Sequence, residues 1–80
     1  MSVPEPSVNG NALREFGERV RARRQQLGIS QETLAARSGL HRTYISSVEL
    51  GERNVSLRNI IVLAQALEHD PGKLVEGLDA

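Results

Sequence analysis

Between Ser30 and Gly51 the chain reads SQETLAARSGLHRTYISSVELG, and four side chains in that stretch, Arg42, Thr43, Ser46 and Ser47, combine hydrogen-bonding capacity with helical spacing. An arginine fork matches the O6 and N7 acceptors of guanine, threonine offers a hydroxyl and a methyl, and serine hydroxyls donate to base edges or phosphates. Such a set recognises a surface and does not make or break bonds. No nucleophile stands beside a general base, Ser47 with His41 or His69 being a coincidence of composition, and there is no phosphate-binding loop. Cysteine is absent, and the two histidines lie too far apart for a zinc pair. The reading is therefore of a protein that is not an enzyme, with no metal and no cofactor.

The residues around these four dictate how they are held. With Gln31 as the first residue of a helix, Leu34 comes fourth and Ala35 fifth, and the alanine must be small because a second helix crosses just above it. Gly39 comes ninth, where the chain reverses and a positive φ is cheap only for glycine. Ile45 and Val48, one turn apart, bury against Leu34 and Ala35. Ser30 stands at the N-cap, with Glu32 in the first turn facing the positive end of the helix dipole. Two short helices joined in this way form a helix-turn-helix, whose second helix enters the major groove of double-stranded DNA. With Ile45 and Val48 turned inward, Arg42, Thr43, Ser46 and Ser47 face the bases.

Eighty residues make one small domain with a single core. Ten cations balance ten anions, which at first argues against a nucleic-acid partner. The distribution reverses that inference. Residues 11–58 carry nine arginines against five glutamates, a net +4, whereas residues 59–80 carry Lys73 against Glu68, Asp70, Glu76 and Asp79, a net −3. The chain thus has a basic reading half and an acidic far half. No apolar run spans a membrane and no leader sequence opens the chain, so a cytoplasmic, bacterial protein is expected.

Residues 1–11, with two prolines and no apolar periodicity, read as a disordered arm, and residues 12–80 as the folded domain. Helix 1 is expected from Ala12 to Leu27, burying Leu13, Phe16, Val20 and Leu27, with Gly28 as its stop. Arg14, Arg21 and Arg23 lie on its exposed side, and a phosphate contact is expected from Arg21 or Arg23. Helix 2 spans Gln31 to Ser38 and helix 3 Arg42 to Leu50. Helix 4 runs from Leu57 to about Glu68 after a Ser56 cap, with Leu57, Ile60, Leu63, Ala64 and Leu67 as its inner face. A last helix opens at Asp70-Pro71, with aspartate as cap and proline first inside. The fold class is all-α, a compact five-helix bundle.

The SQExLA opening, the IxxxExG close at Ile45, Glu49 and Gly51, and the trailing LAxAL at Leu63 to Leu67 resemble the Cro and phage-repressor class of helix-turn-helix proteins, also called the xenobiotic-response-element class. RTYIS at Arg42 to Ser46 and ExGxRN at Glu49 to Asn54 look most like the controller proteins of restriction-modification systems. The resemblance covers about residues 12–78 and implies a lambda-repressor-like domain. It implies base contact first from Arg42 and Thr43, and phosphate contact from Gln31, through its amide and side chain, and from Arg53 and Asn54. Tyr44 has two readings, a ring that fills a groove beside helix 4 while its hydroxyl reaches a phosphate, or packing alone. The resemblance also implies a structural ion pair between Arg24 and Glu49. His41, where relatives often have Ser, Asn or Asp, is read as a passive surface residue.

One copy of such a domain makes few DNA contacts, so a homodimer is expected through Ile61, Val62, Leu74, Val75 and Leu78. Pairing repeats the recognition helix about 34 Å away and calls for a pseudo-palindromic operator. The reading is a homodimeric transcriptional regulator, repressor or activator. Similarity to controller proteins implies autoregulation, restriction-gene activation, and RNA polymerase as a further partner for an acidic patch from Glu32 or the C-terminal half. The alternative is an antitoxin-like protein-interaction module that binds DNA secondarily.

Overall fold

The computed structural model describes residues 10–79, in five helices with no strand among them. Helix α1 is Gly10–Gln26, α2 Gln31–Ser38, α3 Arg42–Glu49, α4 Leu57–Ala66 and α5 Pro71–Val75. Most of the arm expected over residues 1–11, and Ala80, fall outside the described residues. Residues 10 and 11 belong to α1, so the helix starts two residues before the expected Ala12.

Local chemistry sets these boundaries. Ser30 Oγ accepts from Thr33 N at 3.0 Å, Ser56 Oγ from Asn59 N at 3.1 Å and Asp70 Oδ1 from Gly72 N at 2.9 Å, so three helices start on a side-chain cap. His41 precedes α3 in extended backbone and makes no capping bond. The turn between α2 and α3 is carried by Gly39, whose φ of 72° costs a glycine little. Helix α4 stops two residues earlier than expected because Glu68 adopts φ 52°, with His69 N donating to Ala64 O. Arg23 then holds the open end, donating from Nε to Leu67 O and from Nη2 to Glu68 O, both at 3.0 Å.

All five helices meet at one core. Val20 from α1, Leu34 from α2, Ile45 and Val48 from α3, Leu63 from α4, Leu67 just after it and Leu74 from α5 are fully enclosed. At about 1.5–3 kcal/mol for each large aliphatic side chain buried, these residues are the main force fixing the crossing angles. Leu13 and Leu27, expected inside, are only half-buried, while Ala12 and Ala66 are buried. Leu57 is a correction to the expected inner face of α4. As the first residue of the helix it projects past the edge of the core and is 72% exposed.

Helix α1 crosses the C-terminal end of α3 closely enough to require glycine. A Cβ on Gly17 would strike the carbonyl oxygens of Val48 and Glu49, and one on Gly51 would lie 2.8 Å from Arg14 Cα. Among the described residues no helix is long and apolar enough to cross a membrane, and no group of His, Asp and Glu is arranged to hold a metal ion.

Candidate nucleic-acid interface

The α2–α3 pair stands on the core with Leu34, Ile45 and Val48 inward and its N-terminal ends outward. Arg42 and Thr43 are exposed in the first turn of α3, while Ser46 and Ser47 are half-buried further along it. Ser47 Oγ donates to Thr43 O at 3.0 Å, so its proton is used inside the helix and its lone pairs remain for donors on a base.

Behind this face lies an ordered polar chain. Glu49 is buried and accepts from Arg24 Nε at 2.7 Å and from Arg24 Nη2 at 3.0 Å, and Arg24 Nη1 donates to Ile29 O at 2.9 Å. The bond to Glu49, partly opposed by burial, raises the Arg24 pKa above its ordinary value. This acid is therefore kept from the DNA face by a charge-assisted fork. Gln31 Nε2 also donates to Glu49 Oε1, at 3.1 Å. Because an ionised carboxylate only accepts, the Gln31 amide is fixed with its carbonyl outward, 3.5 Å from Arg42 Nη1. One of the two side-chain N–H groups of Gln31 is taken by Glu49, and the other, with the backbone amide at the start of α2, remains to face an anion.

Tyr44 packs half-buried against the core and its hydroxyl accepts from Asn59 Nδ2 at 3.1 Å, which leaves the phenolic proton free to donate. Arg53 lies over the ring, 5.6 Å from its centroid, and so shares the position of Tyr44 beside the recognition helix. Asn54 is exposed at the rim of an apolar depression lined by Leu13, Val55, Ile60, Val75 and Leu78.

Two expectations change. Arg23 points to the end of α4, where its donors are engaged, while the exposed Arg21 borders a shallow hollow with Arg24, Gln31, Ser46, Glu49 and Leu50, so of the two arginines Arg21 is the one beside the α2–α3 pair. Of the expected partner surface, Leu74 is wholly buried, because the five-residue α5 has one side chain that plugs the gap over α1 and α4. Val62 is half-buried and borders a separate groove with Arg37, Ser38 and Ala66, and Leu78 packs half-buried on the core. Ile61 and Val75 remain exposed, joined by Leu57, which the pattern had placed inside. Asn59 was not singled out as a site residue by sequence reasoning. Asn59 had no signal, since it lies 15 residues from the tyrosine it contacts.

Comparison with known proteins places this geometry. A helix-turn-helix family model matches residues 20–74. Control protein C.SmaI of Serratia marcescens is 55% identical over 74 residues, covering 91% of this chain and 88% of that protein. The crystal structure of the restriction-modification controller protein C.AhdI from Aeromonas hydrophila superposes with a TM-score of 0.76 at 55% identity, over 78% of this chain and 94% of that one. The controller protein C.Esp1396I, solved as a tetramer with its natural 35 base-pair operator, matches at a TM-score of 0.75 and 31% identity, over 81% and 86% of the two chains.

Proposed function

The chain belongs to the Cro/C1-type helix-turn-helix family and, within it, to the controller proteins of restriction-modification systems, and from that membership we propose that it regulates transcription by binding a pseudo-palindromic operator as a homodimer. The observation that carries the reading is the exposed first turn of α3. Arg42 and Thr43 stand there on a helix fixed from behind by Ile45, Val48 and the Arg24–Glu49 pair, which is the preorganisation that base readout requires.

In this reading Arg42, Thr43, Ser46 and Ser47 read bases, while the Gln31 amide, Arg21, Tyr44, Arg53 and Asn54 hold phosphates. Leu57, Ile61 and Val75 form the apolar contact between subunits. In the same reading control lies in the protein's own concentration, through the dimer equilibrium, and the site of action is the bacterial cytoplasm. Autoregulation and restriction-gene activation are part of the proposal. Contact with RNA polymerase falls to the acidic far half, at Asp70, Glu76 and Asp79, since Glu32 is turned toward Arg42.

The test is selection of bound duplexes from a random DNA pool at about physiological salt, with wild type and Arg42→Ala in parallel. The expected product is a pseudo-palindrome with half-sites about one helical turn apart, relaxed at one position by Arg42→Ala. Failure to enrich any sequence would overturn the regulator and favour a protein-interaction module.

A further inference from the structure

Arg42 is not free in the unbound chain. Its Nε lies 3.7 Å from Glu32 Oε1 and its Nη1 3.5 Å from Gln31 Oε1, both longer than a tight charge-assisted bond of about 2.8 Å. The guanidinium is held loosely and can be withdrawn. The Glu32 and Arg42 side chains are 70% and 50% exposed. Glu32 also sits in the first turn of α2, one residue from the backbone amides that face phosphate in the proposed docking, and its field reaches Arg24 as well.

A carboxylate at the start of a helix complements the dipole, and any acid in the first turn does this. The dipole does not explain why this acid reaches Arg42. We infer that Glu32 is a specificity-determining residue that competes with DNA for the Arg42 guanidinium. The inference rests on the proposed function and adds a partner to its reading residue.

The magnitudes decide the outcome of that competition. An exposed ion pair is worth about fivefold or less in an equilibrium constant, whereas a bidentate arginine–guanine contact discriminates by about five- to a hundredfold. At the operator, guanine therefore takes the fork from Glu32. On other DNA no comparable base contact draws the guanidinium away, so Arg42 stays on Glu32 and the pair costs nothing there. Glu32 thus lowers binding to the right sequence more than binding to the wrong one, and so sets how far the operator is preferred.

The experiment measures Kd for the selected operator and for a scrambled duplex, with wild type, Glu32→Gln, Glu32→Asp, Arg42→Ala and the Glu32→Gln/Arg42→Ala double variant. Circular dichroism confirms that each is folded. Glu32→Gln is expected to tighten both duplexes by removing a charge that repels phosphate, and to tighten the operator up to about fivefold more than the scrambled duplex, so the specificity ratio rises. Glu32→Asp keeps the charge at the helix start but shortens the reach, and its ratio is expected to rise likewise. In the Arg42→Ala background the Glu32→Gln effect on the ratio is expected to vanish. Equal tightening on both duplexes, an unchanged ratio in Glu32→Asp, or an effect that persists without Arg42 would each overturn the inference. A wild type with no preference for the operator would instead overturn the regulator reading.

Discussion

Arg24 and Glu49 join α1 to the last residue of α3 through two parallel bonds of 2.7 and 3.0 Å, with side chains only 12% and 4% exposed. The same carboxylate orients Gln31, so one pair ties together the three helices that build the reading face. Removing one partner strands the other charge in a dry site, at a cost of about 3–5 kcal/mol. Arg24→Ala and Glu49→Ala should each lower the unfolding free energy read from urea denaturation by that order. An Arg24→Met/Glu49→Leu double variant should lose less than the sum of the singles, because no orphan charge remains. Since the Arg24 pKa is raised, its contribution is complete below arginine's ordinary pKa and is lost only in stronger alkali. Urea unfolding across the neutral range should therefore show no step from this arginine. Additive losses in the cycle would mean that the pair is not a coupled unit.

Gly17 touches α3 where any side chain would meet the Val48 and Glu49 carbonyls. In an exposed helix interior Gly→Ala stabilises by about 1 kcal/mol, but here the added methyl meets backbone that cannot move aside without opening the core. Gly17→Ala is expected to destabilise by about 1–3 kcal/mol despite the better helix propensity. Thermal unfolding reads the sign directly. A rise in Tm would show that α1 and α3 are less closely crossed.

What the sequence made legible follows from where its signals are local. The limits of α2 at Gln31 and Ser38, and with them the start of α3 at Arg42, were readable because Ser30 caps Thr33 N three residues on and Gly39 supplies the positive φ of the turn. The role of Gly17 was hidden, since a glycine inside a helical pattern gives no sign of what crosses it. Leu57 and Leu74 exchanged places for a related reason. Periodicity names a face, but which end of a short helix reaches the core depends on packing angles that only the assembled bundle sets. The choice between Arg21 and Arg23 was open to inference. If Arg24 turns toward Glu49, Arg21 one turn earlier shares that side and Arg23 does not.

Tyr44 combines two roles that substitution can separate. Its ring packs on the core, while its hydroxyl accepts from Asn59 and keeps a free proton, which the proposed docking gives to a phosphate. Tyr44→Phe should cost about 1 kcal/mol or less in stability, and a bond to a charged phosphate suggests about tenfold weaker DNA binding. A phosphate contact carries no sequence information, so the loss should be similar on operator and scrambled DNA. Titrations on both duplexes check this. A loss confined to the operator would make Tyr44 a base-reading residue.

The apolar residues of α4 and α5 divide between fold and assembly, and the two groups should fail differently. Leu74 fills the core, so Leu74→Ala leaves a cavity and should cost about 2–5 kcal/mol, with DNA binding lost through unfolding. Leu57 and Ile61 stand one turn apart on the outside of α4, so Leu57→Glu/Ile61→Glu places charge on the proposed subunit contact without touching the core. Helix content should persist while sedimentation shows a monomer. Operator affinity should fall more than tenfold, because one recognition helix engages one half-site and the second no longer binds at high effective concentration. A double glutamate variant that still sediments as a dimer and binds as wild type would move the interface elsewhere. The groove beside Val62, bounded by Arg37 and Ala66, would then be the first place to repeat the test.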